Sequence, residues 1–490
     1  MSSTPEAGDV LREPRAGALV IRGGMLRASS YGLGALLAAG TAVFLLRGLG
    51  VDDFGRYATV AALLAVVSAL SDAGLTAVGV RELSLLDDAS ARSSLLGHLV
   101  VLRIVLGVGA VLCAIAFALI AGYDRVMVEG VVLGGIGVLL VNTQATMIAP
   151  LSVDLRIGRV AIVELLRYLV TFVAVAALSI AGASLLPYFA VQVLVGLIVL
   201  ALTPLLLRST AGLRPQLRRP TIVRLLREAA PVGVALAMNV LYLRLLVVLV
   251  QLQTSDHETG LYGTAFRVVE LFVGVPPLVI GVAIPVLAVA AAENRGRLAF
   301  GVQRLTEVSA VVTLGGALVV SAVATPVVRL LGGEDFAGAG TMLRIQIWAL
   351  VPLAIGSALS FAMLSLKRQS EIAVANAAAL ATVLLAGTFL IHRYEGIGAS
   401  VTGVVAEAVL TSVLAWRLWR ADREVLPAVG FLWRPAAATL VAAATLLLPL
   451  SPWVDGVLAA IVYVAVAFAL RAVPVELLHA LRRSAPGSVA

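Results

Sequence analysis

The chain has little of what builds catalytic, redox or metal sites. Its 490 residues include 1 cysteine and 4 histidines, and the histidines are far apart, at His98, His257, His392 and His479. A lone cysteine excludes an intramolecular disulfide, and histidines without ligand spacing do not predict a metal centre. The sequence also has neither a Walker loop nor a Gly-x-Ser-x-Gly nucleophile elbow. It therefore predicts a protein that is not an enzyme and that holds no metal or cofactor.

Charged residues are also scarce, and hydrophobic residues make up most of the chain. Charged residues make up 13% of the chain and hydrophobic residues 61%, with a mean hydropathy of +1.04. A soluble protein needs far more polar surface than this composition supplies. The apolar runs last ~20 residues, which matches the hydrocarbon core of a bilayer, and they do not alternate as barrel strands do. The sequence predicts an all-α polytopic membrane protein.

About fourteen apolar windows are long enough to cross a membrane. They lie at 28–47, 55–79, 95–121, 128–150, 160–181, 185–207, 229–252, 261–290, 306–331, 341–366, 370–391, 397–418, 433–450 and 454–472. We expect a cytoplasmic lead-in at 1–27, an N-lobe of six helices at 28–212 and a C-lobe of six helices at 213–425. Two extra helices and a cytoplasmic tail follow at 426–490.

The two lobes are predicted to be copies of one membrane unit. The first copy is clearest at 48–84, where a charged turn leads into an apolar run, and a second version begins near Thr259. Residues 55–57 (GRY) align with residues 260–262 (GLY). Six spans per lobe is an even number, so both copies enter the membrane in the same direction. This parallel repeat implies two lobes around a central cavity.

The basic residues indicate the orientation of the chain. The net charge is +8, but the arginines are spread along short loops, which favours a membrane topology signal over nucleic-acid binding. The connections that follow even-numbered spans hold a several-fold excess of arginine, with the largest cluster at 208–227. We therefore expect a multi-pass protein of the cell membrane with both termini in the cytoplasm and no nucleic-acid partner.

Charged residues inside the predicted spans are the main candidates for a binding site. Placing an arginine at mid-membrane costs ~2.5 kcal/mol or more, so such residues face protein interior or a wet cavity. There are two structural alternatives for these charged side chains: they hold neighbouring helices together, or they extend to the membrane interface. The functional alternative is an arginine-lined cavity for an anionic head group, because guanidinium forks bind phosphate oxygens and stay charged. The head-group candidates are Arg244, Arg267, Glu270, Arg103, Arg167 and Arg344.

Uncharged polar residues inside the spans give a second, smaller set of candidates. Asn142, Gln144 and Asn239 could donate hydrogen bonds to sugar hydroxyls. Hydrogen bonding to neighbouring helices is the more common role of such residues in membrane proteins.

Several stretches resemble a known family. The sequence LLRGLGVDDFGRYATVAALLAVVSALSDAGLTAVGVRELS at 45–84 resembles the polysaccharide-exporter (Wzx-like) flippases of the multidrug/oligosaccharidyl-lipid/polysaccharide (MOP) superfamily. Looser similarity continues at 230–285, 330–350 and 394–410. The chain departs from its relatives in span seven, where they often carry an aspartate and it has Arg244 and no acid. The resemblance therefore implies no ion site in that span.

The resemblance implies a lipid-linked oligosaccharide flippase. Such a protein moves an undecaprenyl-pyrophosphate-linked glycan from the inner to the outer leaflet by rocking of its lobes, for export of a cell-surface polysaccharide. Its partners would be the anionic polyprenyl-pyrophosphate glycan, the bilayer, and a polysaccharide polymerase or glycosyltransferases. A lipid II flippase and a drug or cation antiporter of the same superfamily are the alternatives. A membrane scaffold or a glycan polymerase is the non-transport alternative, and the short outer loops disfavour the polymerase.

Overall fold

The protein is helical throughout the residues that the structure describes. The structure is a computed structural model that describes residues 14–154, 156–206, 218–273 and 295–472. In chain order, the α-helices are α1 (Pro14–Asp72), α2 (Leu75–Ser84), α3 (Ala89–Ile120), α4 (Arg125–Met147), α5 (Ala149–Val153), α6 (Ile157–Ile180), α7 (Leu185–Leu206), α8 (Arg219–Gln253), α9 (Asp256–Val273), α10 (Arg295–Ala322), α11 (Ala324–Gly332), α12 (Ala339–Gln346), α13 (Leu350–Ser365), α14 (Gln369–Thr382), α15 (Thr388–Ala421), α16 (Trp433–Ala443) and α17 (Pro452–Ala469). These ranges contain no β-strand, and the predicted all-α fold is confirmed.

Eleven helical segments in the described residues are long and apolar enough to cross a membrane. Two of them, Gly32–Ser84 and Gln369–Ala421, have 53 residues each. A helix of that length rises about 80 Å, more than twice the ~30 Å of a hydrocarbon core. Each is broken by a residue with positive φ, Gly50 at 72° and Glu395 at 50°, so each holds two of the predicted spans.

A few predictions fall on residues outside the described ranges. These are the beginning of the lead-in, most of predicted span eight at 261–290, the first half of the 208–227 connector and the tail after 472. The predicted count of fourteen spans is therefore approximate. The multi-pass membrane architecture itself is supported by the eleven segments.

The chain divides into two compact units, and the first contains most of α1 to α7. Unit one comprises Met1–Gly48 and Leu63–Gly233. Its helices approach closely because α4 presents glycines: a Cβ at Gly130 would overlap the ring of Phe189, and one at Gly134 would overlap Leu64. Small residues of this kind drive helix association where the lipid is as apolar as the side chains. Close packing of the helices in unit one therefore depends on these glycines.

Unit two contains the second half of the chain together with a short piece of α1. It comprises Leu49–Ala62 and Val234–Ala490. A Cβ at Gly55 would collide with the carbonyl oxygen of Asp256, and one at Gly260 would collide with the carbonyl oxygen of Val51. The two repeat motifs found in the sequence thus pack backbone to backbone, which only glycine permits. Arg56 stabilises this contact by donating a hydrogen bond to the Asp256 carboxylate at 2.7 Å.

The two extra helices, α16 and α17, pack against α10 within unit two. Their shared core is built from small residues such as Ala438 and Ala459 around Tyr463. The Tyr463 hydroxyl donates to the carbonyl oxygen of Val311 across 2.6 Å, so a polar group at membrane depth is satisfied by the neighbouring helix.

Candidate functional site

Helices α8 and α9 bring three of the predicted site residues together in unit two. The Glu270 carboxylate accepts from Arg244 Nη2 through Oε1 and from Arg267 Nη1 through Oε2, the latter at 3.2 Å. Arg267 and Glu270 are three residues apart on α9, so they share one helix face. Arg244 reaches the same carboxylate from α8. Among the described residues, this cluster is the place where the structure joins predicted head-group ligands.

The three side chains of this arginine–glutamate cluster are partly exposed. The exposed fraction is 28% for Arg244, 22% for Glu270 and 40% for Arg267. The Arg244 guanidinium also lies over the ring of Phe266, 5.3 Å from its centroid, which is a cation–π contact. Tyr57, from the first repeat motif, is within electrostatic reach of Arg267 and Glu270.

The charge of the cluster suits an anionic ligand. Two guanidinium groups face one carboxylate, which leaves a net positive charge of one. Guanidinium groups present paired N–H donors that match the oxygens of carboxylates and phosphates. A ligand oxyanion with several oxygens could engage both arginines at once. The cluster can therefore bind and orient an anion, and its residues suggest no bond-making chemistry.

A narrow, largely apolar cavity lies next to the cluster, with Phe266 in its wall. Its volume is about 50 Å³, and its lining includes Tyr242, Glu407, Gln346 and Ser400. This volume is enough for roughly three to five water molecules. The Tyr242 hydroxyl donates to Glu407 across 2.8 Å, and Gln346 Nε2 donates to Ser400 across 3.1 Å. Gln346 Oε1 is buried without a hydrogen-bond partner in the described part of the chain.

These cavity residues were not among the candidates taken from the sequence. Glu407 and Ser400 lie in predicted span twelve, and Gln346 lies in predicted span ten. Their polar character inside apolar spans was the available signal, and only the packing of α12 against α15 shows that Gln346 and Ser400 meet.

Arg103 belongs to unit one, where it is buried with only 3% of its surface exposed. It forms an ion pair with Asp72 and donates to Thr146 Oγ1 at 2.8 Å, to Thr76 Oγ1 at 2.9 Å and to the carbonyl oxygen of Asn142 at 3.1 Å. Its terminal nitrogens are thus occupied by neighbouring helices. This arrangement corresponds to the structural alternative, in which an intramembrane arginine holds helices together.

The two remaining arginine candidates lie away from carboxylates. Arg167, on α6, is half-buried and makes no ion pair with Glu164 in the described structure. Arg344, on α12, is exposed and donates to Thr325 Oγ1 across 3.4 Å. Neither is joined to the Arg244–Glu270–Arg267 cluster by any contact among the described residues.

The uncharged candidates have different environments. Asn142 exchanges hydrogen bonds with Ser68 at 3.1 and 3.2 Å, so it links two helices of unit one. Gln144 is buried, and its Nε2 has no partner in the residues described. Asn239 is half-buried on α8, one turn before Tyr242. Of the three, only Asn239 lies in the unit that holds the arginine cluster.

An all-helical, multi-pass chain with an anion-suited cluster in its second half belongs to the class of membrane transport folds, and comparison with solved structures defines which one. The lipid II flippase MurJ, in an inward closed conformation, is similar with a TM-score of 0.75, 10% identity and coverage of 91% of this chain and 98% of that one. An inward-facing multidrug resistance MATE transporter of the MOP superfamily has a TM-score of 0.67, 14% identity and coverage of 82% and 98%. An outward-facing MATE transporter has a TM-score of 0.56 at 14% identity, with coverage of 86% and 99%. At these identities the likeness establishes the fold.

The family follows from the sequence itself. The sequence model of the polysaccharide biosynthesis protein family matches residues 20–290, which is more than half of the chain. The protein therefore belongs to that family, the Wzx-like branch of the MOP superfamily, and the resemblance noted in the sequence is confirmed. The matched region includes the arginine–glutamate cluster. No curated protein matches the sequence of this chain.

Proposed function

We propose that the protein is a flippase for a lipid-linked oligosaccharide. It would move an undecaprenyl-pyrophosphate-linked glycan from the inner to the outer leaflet, for export of a cell-surface polysaccharide. The observation that carries the proposal is the partly exposed pair Arg244 and Arg267, held on one carboxylate, in a member of the polysaccharide biosynthesis protein family.

A pyrophosphate head group fits the chemistry of this pair. It offers several oxygens and more than one negative charge, and two guanidinium groups can each bind two of those oxygens. A unit charge pair 4 Å apart contributes about 4 kcal/mol at an effective dielectric constant of 20. Arginine keeps its charge at any working pH, so the site would hold the head group without depending on protonation.

The other predicted ligands receive secondary roles in this proposal. Asn239 lies on the same helix as Arg244 and would contact the first sugar. Arg167 and Arg344, which have no carboxylate partner in the described residues, would make further contacts with the substrate. Gln144, with its unpartnered amide nitrogen, would contact sugar hydroxyls. Arg103 and Asn142 are assigned to helix packing because neighbouring helices take up their polar atoms.

Orientation, mechanism and partners are part of the same proposal. The arginine-rich connections support an orientation in the cell membrane with both termini on the cytoplasmic side. A parallel repeat of two lobes supports transport by alternating access, with the lipid tail remaining in the bilayer. Glycosyltransferases would supply the substrate, and a polymerase would take over the translocated glycan. The protein would therefore translocate its substrate without changing it.

A lipid II flippase is the second candidate function. It is favoured by the fold, which matches MurJ over 98% of that chain, and a lipid II head group carries the same pyrophosphate. A drug or cation antiporter is disfavoured although MATE transporters share the fold. A cationic substrate needs a carboxylate that no arginine neutralises, and Glu270 is shared by two arginines.

Head-group binding by the purified protein tests the proposal. We would compare wild type with Arg244→Ala and Arg267→Ala, using a short-chain polyprenyl-pyrophosphate sugar as ligand and a cationic dye as counter-ligand. Arg125→Ala is the matched control, because that arginine is exposed and pairs only with Glu129 one turn away. We expect the anionic lipid to bind wild type and the control, and each site variant to lose about 10- to 100-fold in affinity.

Two results would contradict the proposal. If the cationic dye binds wild type and the lipid does not, the protein is an antiporter. If the lipid binds all four proteins equally, the arginine pair is structural and the head group binds elsewhere. Comparing a sugar of the peptidoglycan type with other sugars on the same lipid separates the two flippase candidates.

A further inference from the structure

Glu270 lies at the centre of the arginine–glutamate cluster and uses both of its oxygens there. Oε1 accepts from Arg244, on α8, and Oε2 accepts from Arg267, on α9. Each guanidinium gives one of its terminal nitrogens to this carboxylate, Nη2 of Arg244 and Nη1 of Arg267. A phosphate that approached the same edge of either guanidinium would meet the carboxylate and would have to displace it.

Carboxylate and phosphate compete for the same donors. Both present oxygens at a spacing that matches two N–H groups of a guanidinium, and both form charge-assisted hydrogen bonds with it. If both anions stayed, the carboxylate and the phosphate would face each other at contact distance and repel in a medium of low dielectric constant. Binding at this site is therefore an exchange of one anion for another.

We propose that Glu270 is an internal counter-ion that occupies Arg244 and Arg267 in the unloaded protein and is displaced by the head-group phosphate. This proposal rests on the proposed function and adds how the same site is regulated. Glu270 is a positioning residue: it orders the two arginines while the site is empty, and it returns to them when the substrate leaves. The exchange lowers affinity and speeds release.

The geometry around Glu270 permits such an exchange. The carboxylate is partly exposed, with 22% of its side chain accessible, so its charge can be partly solvated when it leaves the arginines. Arg244 is held from a second side by the ring of Phe266, so it stays in place when the carboxylate moves. Arg267 is the most exposed member at 40% and can adjust to the ligand.

The Arg103–Asp72 pair of unit one shows what a purely structural ion pair looks like in this chain. Arg103 is 3% exposed and fills its remaining donors with Thr146, Thr76 and a backbone carbonyl. Among the described residues, Arg244 and Arg267 have no comparable set of protein acceptors, and both remain partly accessible. The cluster on Glu270 is therefore open to an exogenous anion in a way that the Arg103 pair is not.

The test replaces the charge of Glu270 while keeping its shape. The full-length protein is reconstituted, and the dissociation constant and release rate of a short-chain polyprenyl-pyrophosphate sugar are measured for wild type and Glu270→Gln. The matched control is Glu371→Gln, because Glu371 also bridges two arginines, Arg417 at 3.0 Å and Arg368 at 3.8 Å, away from the cluster. Glu270→Asp keeps the charge but is too short to reach both arginines.

We expect Glu270→Gln to bind the lipid about tenfold more tightly or better and to release it correspondingly more slowly. Glu270→Asp should lie between wild type and Glu270→Gln, and Glu371→Gln should match wild type. If Glu270 served only to order the two arginines, Glu270→Gln would bind the lipid more weakly than wild type, because disordered arginines bind the ligand less well.

The outcomes separate this inference from the proposed function. In one outcome, Glu270→Gln and Glu270→Asp bind the lipid as wild type does or more weakly, while Arg244→Ala and Arg267→Ala lose binding. That result would contradict the counter-ion role of Glu270 and would leave the proposed flippase function supported. If Glu270→Gln does not fold, Glu270→Asp decides by the same comparison. If the lipid binds neither wild type nor any variant, the proposed function fails and the counter-ion fails with it.

Discussion

Replacing Arg103 by methionine distinguishes an arginine that holds the fold from one that binds substrate. Methionine keeps the apolar stem of arginine and removes the guanidinium. The change breaks the ion pair with Asp72 and three hydrogen bonds to Thr146, Thr76 and the backbone of α4. All of these contacts lie within unit one. We therefore expect a loss of stability and no direct loss of a ligand contact.

The magnitude of that loss follows from the burial of the pair. Removing one partner of a buried ion pair costs about 3–5 kcal/mol, since it leaves the other charge uncompensated. A single interhelical hydrogen bond in a membrane bundle averages only ~0.6 kcal/mol. Asp72 remains 24% exposed, so water can solvate part of its charge. The expected cost is therefore near the lower end, about 3 kcal/mol.

The measurement is equilibrium unfolding in detergent, combined with lipid binding below the unfolding transition. Arg167→Met is the matched stability control, because Arg167 is half-buried and has no ion-pair partner in the described residues. The double variant Arg103→Met with Asp72→Asn should regain part of the loss, since no unpaired charge remains. If Arg103→Met unfolds as wild type does and yet loses lipid binding, Arg103 is a substrate ligand and the assignment to packing is wrong.

Two further predictions concern the packing that positions the cluster. Gly55→Val or Gly260→Val should prevent correct assembly, because each added Cβ would collide with a backbone carbonyl; yield and monodispersity after purification report this. Gly316→Ala, which meets nothing within 4 Å, is the control and should be neutral or slightly stabilising. Tyr463→Phe removes the 2.6 Å hydrogen bond to Val311 and should lower the free energy of unfolding by about 1 kcal/mol; an unchanged value would mean that water replaces the bond.

The fold was largely predictable because the bilayer restricts the solutions. Continuous apolar runs of membrane length admit only helices, and each residue of the chain contributes to that signal. Breaks inside long helices were harder to place. Gly50 is compatible with its positive φ, but Glu395 adopts φ 50° without any sequence signature. Such a conformation is imposed by tertiary packing, which a local pattern does not contain.

The repeat motif was recognised in the sequence, but its role was not. Residues 55–57 and 260–262 were aligned as equivalent positions of two copies. The structure shows that Gly55 and Gly260 also approach each other's helix at backbone distance. An alignment relates positions by similarity, and contact between them depends on the three-dimensional arrangement of the copies. The sequence therefore showed that these glycines correspond, and only the structure shows that they touch.

The candidate site was predictable to the extent that its contacts are local. Arg267 and Glu270 are three apart on one helix, and their pairing follows from that spacing. The bond between Arg244 and Glu270 joins two helices, and it depends on the rotation of α8 about its axis, which the sequence does not encode locally. The same holds for Tyr242 with Glu407. Six head-group candidates were predicted from the sequence, and their neighbours on other helices now distinguish them.

A carrier of a multiply charged head group must release it as well as bind it. Two arginines without a counter-ion would hold a pyrophosphate through several charge-assisted hydrogen bonds, and differences in affinity are expressed mainly in the rate of release. A carboxylate that remains beside the arginines offers an alternative partner at the moment of release, so the guanidinium groups are never left unpaired in a medium of low dielectric constant. The arrangement of Glu270 between Arg244 and Arg267 therefore suits turnover better than a bare arginine pair would.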